Sequence, residues 1–238
     1  MSRLQPDPDC AGTTDNTMTS NPQCGIVWCA FAEAVQFPDE ELQASIRSGA
    51  LARRLESLVR DEYPVVCREG NWDALRDAGA NEGELSVEYT RLFDSAAGGP
   101  CPLNGGLLFG THMTTMEEVV RFYNHFEVKL GEQTVETPDH LSIELEFVHC
   151  LAYGEADRCS HGEDPSAYAR ARRDFIARHP GRMVSQVHRR LAELRPMPFY
   201  AELFRVLDQC LQAELQRLEA QYGAAPTGGT IARTLGFA

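Results

Sequence analysis

Apolar residues recur at helical spacing along most of the chain between residues 23 and 222. The clearest stretch is 137–153. It contains two interleaved apolar series with the spacing of a helix: Leu141, Leu145 and Val148 in one, and Ile143, Phe147 and Cys150 in the other. A helix that is apolar around so much of its circumference is expected to be buried. The sequence therefore predicts a central helix over 137–153.

The same periodicity predicts a series of further helices. It indicates helices over 26–37, two short ones between 38 and 59 that break near Ser48, and then 84–93, 115–130, 165–179, 183–194 and 199–222. We find no internal repeat and no convincing alternating pattern of the kind a strand shows. The predicted fold class is therefore all-α, a single-domain helical bundle of about eight to ten helices.

Four segments lack this periodicity. Residues 1–22 are rich in Asp, Thr, Asn, Ser and Pro, which predicts a disordered N-terminal tail before the helical domain of 23–222. Residues 223–238 are predicted to be a flexible C-terminal tail. The glycine- and proline-rich segment 95–111 indicates a long loop, and long ordered loops are usually functional. Residues 154–164 are predicted to be a polar break after the central helix.

The central helix has a polar start. Thr137 suits the N-cap and Pro138 the first helical position, where a missing N–H costs nothing. Asp139 then lies in the first turn, where the helix dipole favours negative charge. We expect this start, with Asp139 and His140, to be a fixed and partly exposed spot on a helical core.

Composition narrows the possible partners. The 238 residues carry a net charge of −13, which argues against non-specific binding to nucleic acid. No run of 18 apolar residues suits a membrane span, and residues 1–22 lack the basic and apolar regions of a secretory signal. Because no export signal is evident, we interpret the eight cysteines as reduced thiols and the chain as cytoplasmic. The arginines of 165–195 are interpreted as a solvated helix face.

Few residues suggest catalysis or metal binding. Glu146 and His149 match one half of a di-iron helical motif, without the second half that such a site requires. Cys150, Cys159 and His161 fit none of the common zinc spacings. No phosphate-binding glycine loop and no nucleophile elbow are present. We therefore expect no catalytic residues, metal or cofactor, and a binding protein rather than an enzyme.

Several motifs resemble the TorD/DmsD/NarJ family, the assembly chaperones of molybdenum oxidoreductases. The strongest is Pro-Asp-His-Leu over 138–141, followed by Glu-Leu-Glu-Phe over 144–147. Others occur in the family's order: Phe-Pro-Asp-Glu-Glu-Leu over 37–42, Tyr-Thr-Arg-Leu-Phe over 89–93, and Pro-Phe-Tyr over 198–200. The form of the central motif looks most like the branch that serves type II dimethyl-sulfoxide-reductase-like enzymes.

The resemblance implies a function and a site. Such a chaperone binds the catalytic subunit of its enzyme in the cytoplasm, and often the twin-arginine signal peptide, until the molybdenum cofactor is inserted. The peptide- or client-binding residues implied are Asp139, His140 and Glu136, with Tyr89 and Phe93 as an apolar wall. Acidic side chains can bind the guanidinium groups of the twin arginines, and an apolar groove can bind the rest of the signal peptide.

Two alternatives remain at this stage. One is a helical metal- or cofactor-binding oxidoreductase that uses Glu146 and His149, or the group formed by Cys150, Cys159 and His161. The other is a general helical adaptor with no molybdoenzyme client. Neither involves nucleic acid or stable membrane insertion.

Overall fold

The computed structural model describes residues 4–6, 25–81, 83–131 and 134–226. Its elements, in chain order, are β1 (Leu4–Pro6), α1 (Ile26–Ala34), α2 (Glu40–Arg47), α3 (Ala50–Glu62), α4 (Pro64–Glu69), a 3₁₀ turn (Ala74–Arg76), α5 (Glu84–Phe93), α6 (Gly105–Phe109), α7 (His112–His125), β2 (Val128–Leu130), α8 (Leu141–Ser160), α9 (Ser166–Arg178), α10 (Pro180–Leu194) and α11 (Pro198–Tyr222).

The prediction of a single all-α domain is confirmed. Nine helices in the described part of the chain have eight or more residues, and most coincide with predicted ones. The short helices α4 and α6 were not predicted, nor was the antiparallel pairing of β1 with β2. Apart from β1, the predicted tail of 1–22 lies outside the described residues, as does the part of the C-terminal tail from 227 onward.

Helix α8 forms the centre of the bundle and packs against α1 on one side and α9 on the other. Phe147, near its middle, is fully buried. Its ring centroid lies 4.7 Å from that of Tyr123 and 4.8 Å from that of Phe175. Burial of such rings contributes both apolar area and favourable edge-to-face geometry, so this cluster joins α7, α8 and α9.

Helix α8 begins three residues later than predicted. It starts at Leu141, and His140 is its N-cap, because the His140 ring accepts a hydrogen bond from the Ser142 N–H. The local signal at Thr137 and Pro138 is overridden by contacts from elsewhere in the chain. The Leu141 N–H donates to the Leu103 carbonyl at 2.8 Å, and the Tyr123 hydroxyl donates to the Pro138 carbonyl at 2.9 Å.

The predicted polar break at 154–164 is also wrong, because α8 continues to Ser160. Gly154 lies inside the helix rather than at its end. A Cβ at this position would lie 2.2 Å from the Tyr168 ring, so glycine serves here to let α9 approach α8 closely. None of the described helices is long and apolar enough to cross a bilayer.

Candidate functional site

Asp139 is fully buried, so the expectation of a partly exposed carboxylate is wrong. Its Oδ2 atom accepts a hydrogen bond from the Gly106 N–H at 2.9 Å, and its Oδ1 atom accepts one from the Thr137 hydroxyl at 2.7 Å. Its backbone carbonyl accepts another from the Gly105 N–H at 2.9 Å. Asp139 therefore fixes the first turn of α6 against the segment that precedes α8.

Helix α6 can lie in this position because it begins with two glycines. A Cβ on Gly106 would lie 2.6 Å from the His112 Cα atom, which is backbone and cannot move aside easily. At the other end of α6, the Arg182 guanidinium lies 4.5 Å from the centroid of the Phe109 ring. The predicted long loop over 95–111 thus contains a short helix that is held at both ends.

His140 and Glu136 lie on the same segment but differ in exposure. His140 is buried, and its Nδ1 atom lies 2.8 Å from the Ser142 hydroxyl. Its Nε2 atom lies 3.8 Å from the Glu136 carboxylate, whose side chain is 38% exposed. Val135 is 94% exposed. In this segment Val135 and Glu136 therefore face the solvent, while the buried His140 caps α8.

Tyr89 and Phe93 lie on α5 and also differ in exposure. Phe93 is buried against Tyr200 and Phe204, with centroid distances of 5.3 Å to each ring, so it belongs to the core. Tyr89 is half-buried and meets Phe37 edge-on at 5.5 Å. Because Phe37 is 53% exposed, this pair presents an aromatic surface to solvent.

Phe37 lines an acidic groove that the sequence did not predict. The groove has a volume of about 510 Å³, and we define it by the residues Cys29, Glu33, Gln36, Phe37, Asp39, Glu41, Leu42, Ser45, Arg54 and Glu146. Four of these are acids and one is basic, and Arg54 is already paired with Glu33 at 2.5 Å. The acids come from three separate parts of the chain, so no local motif reveals them. Burial raises the pKa of the Cys29 thiol to about 11, which keeps it protonated at neutral pH.

A second, much smaller cavity of about 40 Å³ lies beneath α6. Glu144 borders it and is fully buried, and neither of its carboxyl oxygens has a hydrogen-bond partner. Burial, followed by repulsion from the Asp139 carboxylate, raises the pKa of Glu144 well above its ordinary value. The surroundings of Glu144 therefore favour its neutral, protonated form. In the sequence Glu144 stands out only as part of a motif, and nothing in that motif indicates a buried carboxyl group without partners.

His179 borders the same cavity. It is buried between the rings of Phe122 and Phe175, and its Nε2 atom lies 3.8 Å from the Glu118 carboxylate. Burial, followed by repulsion from the neighbouring Arg178 and Arg182 guanidinium groups, lowers the pKa of His179 to about 3. The imidazole is therefore neutral in the folded protein at all physiological pH values.

We expect His179 to make the protein less stable in mild acid. The unfolded chain binds a proton at this histidine below its pKa of about 6.5, but the folded chain does not until about pH 3. The free energy of unfolding should therefore decrease as the pH falls below 6.5, by about 2 kcal/mol between pH 6.5 and pH 5. Urea unfolding of the wild-type chain and of His179→Gln across these pH values measures the difference. Equal pH slopes for the two chains would contradict the assignment.

The residues considered for metal binding are not brought together. Cys159 is exposed, Cys150 is half-buried, and the His161 ring lies 2.8 Å from the Asp157 carbonyl. Within the described ranges, no group of three His, Cys, Asp or Glu side chains is arranged to hold a metal ion. Cys150, Cys159 and His161 therefore do not form such a group in the part of the chain that the structure describes.

Two arginines of α9 do not lie on a solvated face, as the sequence analysis predicts, but in the interior. Arg172 and Arg173 on α9 are both buried. Arg172 forms ion pairs with Glu155 at 2.5 Å and with Glu214 at 3.1 Å, and Arg173 donates to the Tyr222 carbonyl at 2.7 Å. These arginines join α9 to α8 and α11 and do not form a basic surface.

Comparison with known proteins identifies the family. The model of the nitrate reductase delta subunit family matches residues 49–189. The chain is 35% identical to the selenate reductase assembly chaperone protein of Thauera selenatis and 32% identical to the chlorate reductase assembly chaperone protein of Ideonella dechloratans, over 87% of this chain and 95% of each relative. It is 27% identical to the dimethyl sulfide dehydrogenase assembly chaperone protein of Rhodovulum sulfidophilum, over 90% of this chain and 88% of that protein.

No solved structure matches the chain. The family model covers more than half of the chain, and the relatives match it along nearly their whole length. These matches confirm the resemblance that the ordered motifs indicated. The chain belongs to the nitrate reductase delta subunit family, the group that includes the TorD/DmsD/NarJ-like assembly chaperones.

Proposed function

We propose that this chain is a cytoplasmic assembly chaperone for the catalytic subunit of a molybdenum oxidoreductase. It binds the cofactor-free subunit, its twin-arginine signal peptide, or both, until the cofactor is inserted. The observation that carries the proposal is family membership, because relatives that match along nearly their whole length are named assembly chaperones of selenate, chlorate and dimethyl sulfide enzymes. The protein itself performs no chemistry in this proposal.

The acidic groove is the surface that best suits such a client. A twin-arginine segment carries two fixed positive charges beside an apolar stretch. Carboxylates such as Glu41 suit the charges, and Phe37 with Tyr89 suits the apolar part. Glu136 adds a further exposed carboxylate near the start of α8.

The buried residues of the predicted site would then act by positioning. Asp139 holds α6 in place, and His140 caps α8. Phe93 supports Tyr89, with 5.1 Å between their ring centroids. In this proposal these three residues shape the binding surface, while Glu136, Tyr89 and the groove residues contact the client.

Capture from the native cytoplasm tests the function. The tagged chain is purified, its partners are identified by mass spectrometry, and their molybdenum content is measured. The proposal expects the catalytic subunit of a molybdenum oxidoreductase, in a form that lacks molybdenum. Capture of only metal-loaded enzyme, or of no oxidoreductase subunit, would argue against it.

Phe37→Ala tests the surface. Because exposed aromatic residues often dominate the binding energy of an interface, we expect this change to weaken client capture by about ten-fold or more. Val65→Ala is the matched control, since Val65 is similarly exposed, at 58%, but lies on α4 and does not line the groove. Equal capture by both variants would show that the groove is not the binding surface.

A further inference from the structure

Unpartnered buried polar atoms are concentrated around the cavity beneath α6. In the described part of the chain, both carboxyl oxygens of Glu144 and the His179 Nε2 atom border this cavity and have no hydrogen-bond partner, whereas Glu118 Oε1 pairs with the Arg178 guanidinium at 2.8 Å. Buried polar groups in native proteins nearly always have partners, so such a concentration calls for an explanation. It indicates a site that is completed by a ligand.

We propose that this cavity receives the guanidinium group of an arginine side chain from the client polypeptide, with Glu144 as its carboxylate partner. The inference rests on the proposed function, because the client supplies the arginine. It assigns a binding role to a residue that neither the exposed surface nor the acidic groove includes.

The charge that acts on Glu144 is negative, whereas the two guanidinium groups that line the cavity, those of Arg178 and Arg182, act on His179. On the side of the segment before α8, the Asp139 carboxylate repels a negative charge on Glu144. On α7, the Glu118 carboxylate is already balanced by Arg178 at 2.8 Å, and His179 is neutral. Arg182 on α10 is exposed and lies over the Phe109 ring. A guanidinium beside Glu144 would offset the repulsion from Asp139 and favour the ionised form of Glu144.

The size and shape of the cavity suit the same group. Its volume of about 40 Å³ corresponds to roughly three water molecules at about 10–15 Å³ each. A guanidinium consists of one carbon and three nitrogens in a plane, and it donates two parallel hydrogen bonds to one carboxylate. Both oxygens of Glu144 are available to accept them.

The route into the cavity passes the pair formed by Phe109 and Arg182. These two residues line the inner cavity and also a groove of about 340 Å³ on the outside of the protein. Movement of the Arg182 side chain away from the Phe109 ring would therefore join the two spaces. Ile176 and Leu215 line the outer groove, so it offers apolar contacts for the stem of an incoming side chain.

Calorimetry with a defined peptide tests the proposal. The probe is a synthetic peptide with two consecutive arginines followed by an apolar stretch, titrated near pH 7 in two buffers of different ionisation enthalpy. Because burial and Asp139 raise the pKa of Glu144 in the free chain and a bound guanidinium would lower it, we expect binding of the peptide to release protons from the wild-type chain. A matched peptide with glutamine in place of both arginines should release none.

Two variants distinguish binding of the peptide at Glu144 from non-specific electrostatic attraction of a cationic peptide to an acidic protein. Glu144→Gln keeps the shape of the side chain but cannot ionise, so we expect about ten- to hundred-fold weaker binding and no proton release. Glu117→Gln makes the same substitution at an exposed position on α7 outside the cavity, and it should bind like the wild type. Glu144→Gln should fold well, because it removes a group that ionises more readily in the unfolded chain. Its melting temperature at neutral pH should therefore be higher than that of the wild type.

The outcomes distinguish this inference from the proposed function. Wild-type affinity for the peptide in Glu144→Gln, or peptide binding without proton release by the wild type, would overturn the inference, and the cavity would then hold water only. If the wild type captures the cofactor-free subunit but does not bind the peptide, the inference fails and the chaperone function stands. If it captures no subunit at all, the function itself fails.

Discussion

Replacing Phe147 with alanine is expected to lower the free energy of unfolding by about 3–5 kcal/mol, the largest effect of any single change proposed for this chain. The ring is fully buried at the centre of α8 and meets Tyr123 from α7 and Phe175 from α9. Its removal would leave a cavity that three helices border, and close-packed helices relax only partially into such a space. Urea unfolding followed by circular dichroism measures the change.

Phe37→Ala provides the matched control for this experiment. Phe37 is the same residue type but is 53% exposed, so its truncation should change the free energy of unfolding by no more than about 0.5 kcal/mol. A loss below about 1 kcal/mol in Phe147→Ala would contradict the description of α8 as the centre of the core.

Replacing Asp139 with alanine is expected to loosen α6 and to lower the free energy of unfolding by about 1–3 kcal/mol. The change leaves the Gly106 N–H buried without its acceptor and removes the partner of the Thr137 hydroxyl. Hydrogen exchange of the amides in Gly105–Phe109 should accelerate, while exchange in α3, which packs against α1, α2 and α4, should not. Capture of the client should fall as well, because α6 borders the cavity proposed to receive the client's arginine.

Asp139→Asn separates the hydrogen bonds of this residue from its charge. Asparagine keeps a carbonyl oxygen that can accept from the Gly106 N–H, so α6 should stay in place and its amides should remain protected. The neutral amide also removes the repulsion that raises the pKa of Glu144. Unchanged exchange across α6 in Asp139→Ala would show that this carboxylate does not hold the helix.

The sequence predicted most helices because their apolar stripes are long. Glu84–Phe93 was predicted with the bounds that α5 has, and the α8 stretch was predicted as a buried helix. Errors arose where a local signal competed with distant contacts. Thr137 and Pro138 form a good helix start in isolation, but hydrogen bonds from Leu103 and Tyr123 hold this segment outside the helix.

The sequence prediction is wrong at two further places that contain glycine, because the role of a glycine depends on which side chain packs against it. The sequence predicts a break at Gly154, yet this glycine lies within α8 and allows the Tyr168 ring to pack closely against the continuous helix. The sequence predicts a loop at Gly105 and Gly106, yet these residues form the first turn of α6, which lies against Asp139. Neither Tyr168 nor Asp139 is a sequence neighbour of these glycines, so composition alone does not reveal the contacts.

The candidate site was predicted in part. The motif drew attention to the segment around Asp139 and His140, and the structure shows that both residues are buried supports. The acidic groove was missed because its carboxylates come from separate elements. Glu144 was missed because its unpartnered state depends on how α6, α7 and α10 surround it, and no spacing along the chain contains that information.

In the proposed function, this protein holds a client subunit before the cofactor is inserted and releases it afterwards. The most direct measurement is calorimetric binding of the purified chain to the purified catalytic subunit, in cofactor-free and cofactor-loaded forms. We expect a stable complex with the cofactor-free subunit and binding at least about ten-fold weaker for the loaded one, a difference of about 1.4 kcal/mol. Equal affinity for the two forms, or tighter binding of the loaded form, would contradict the account.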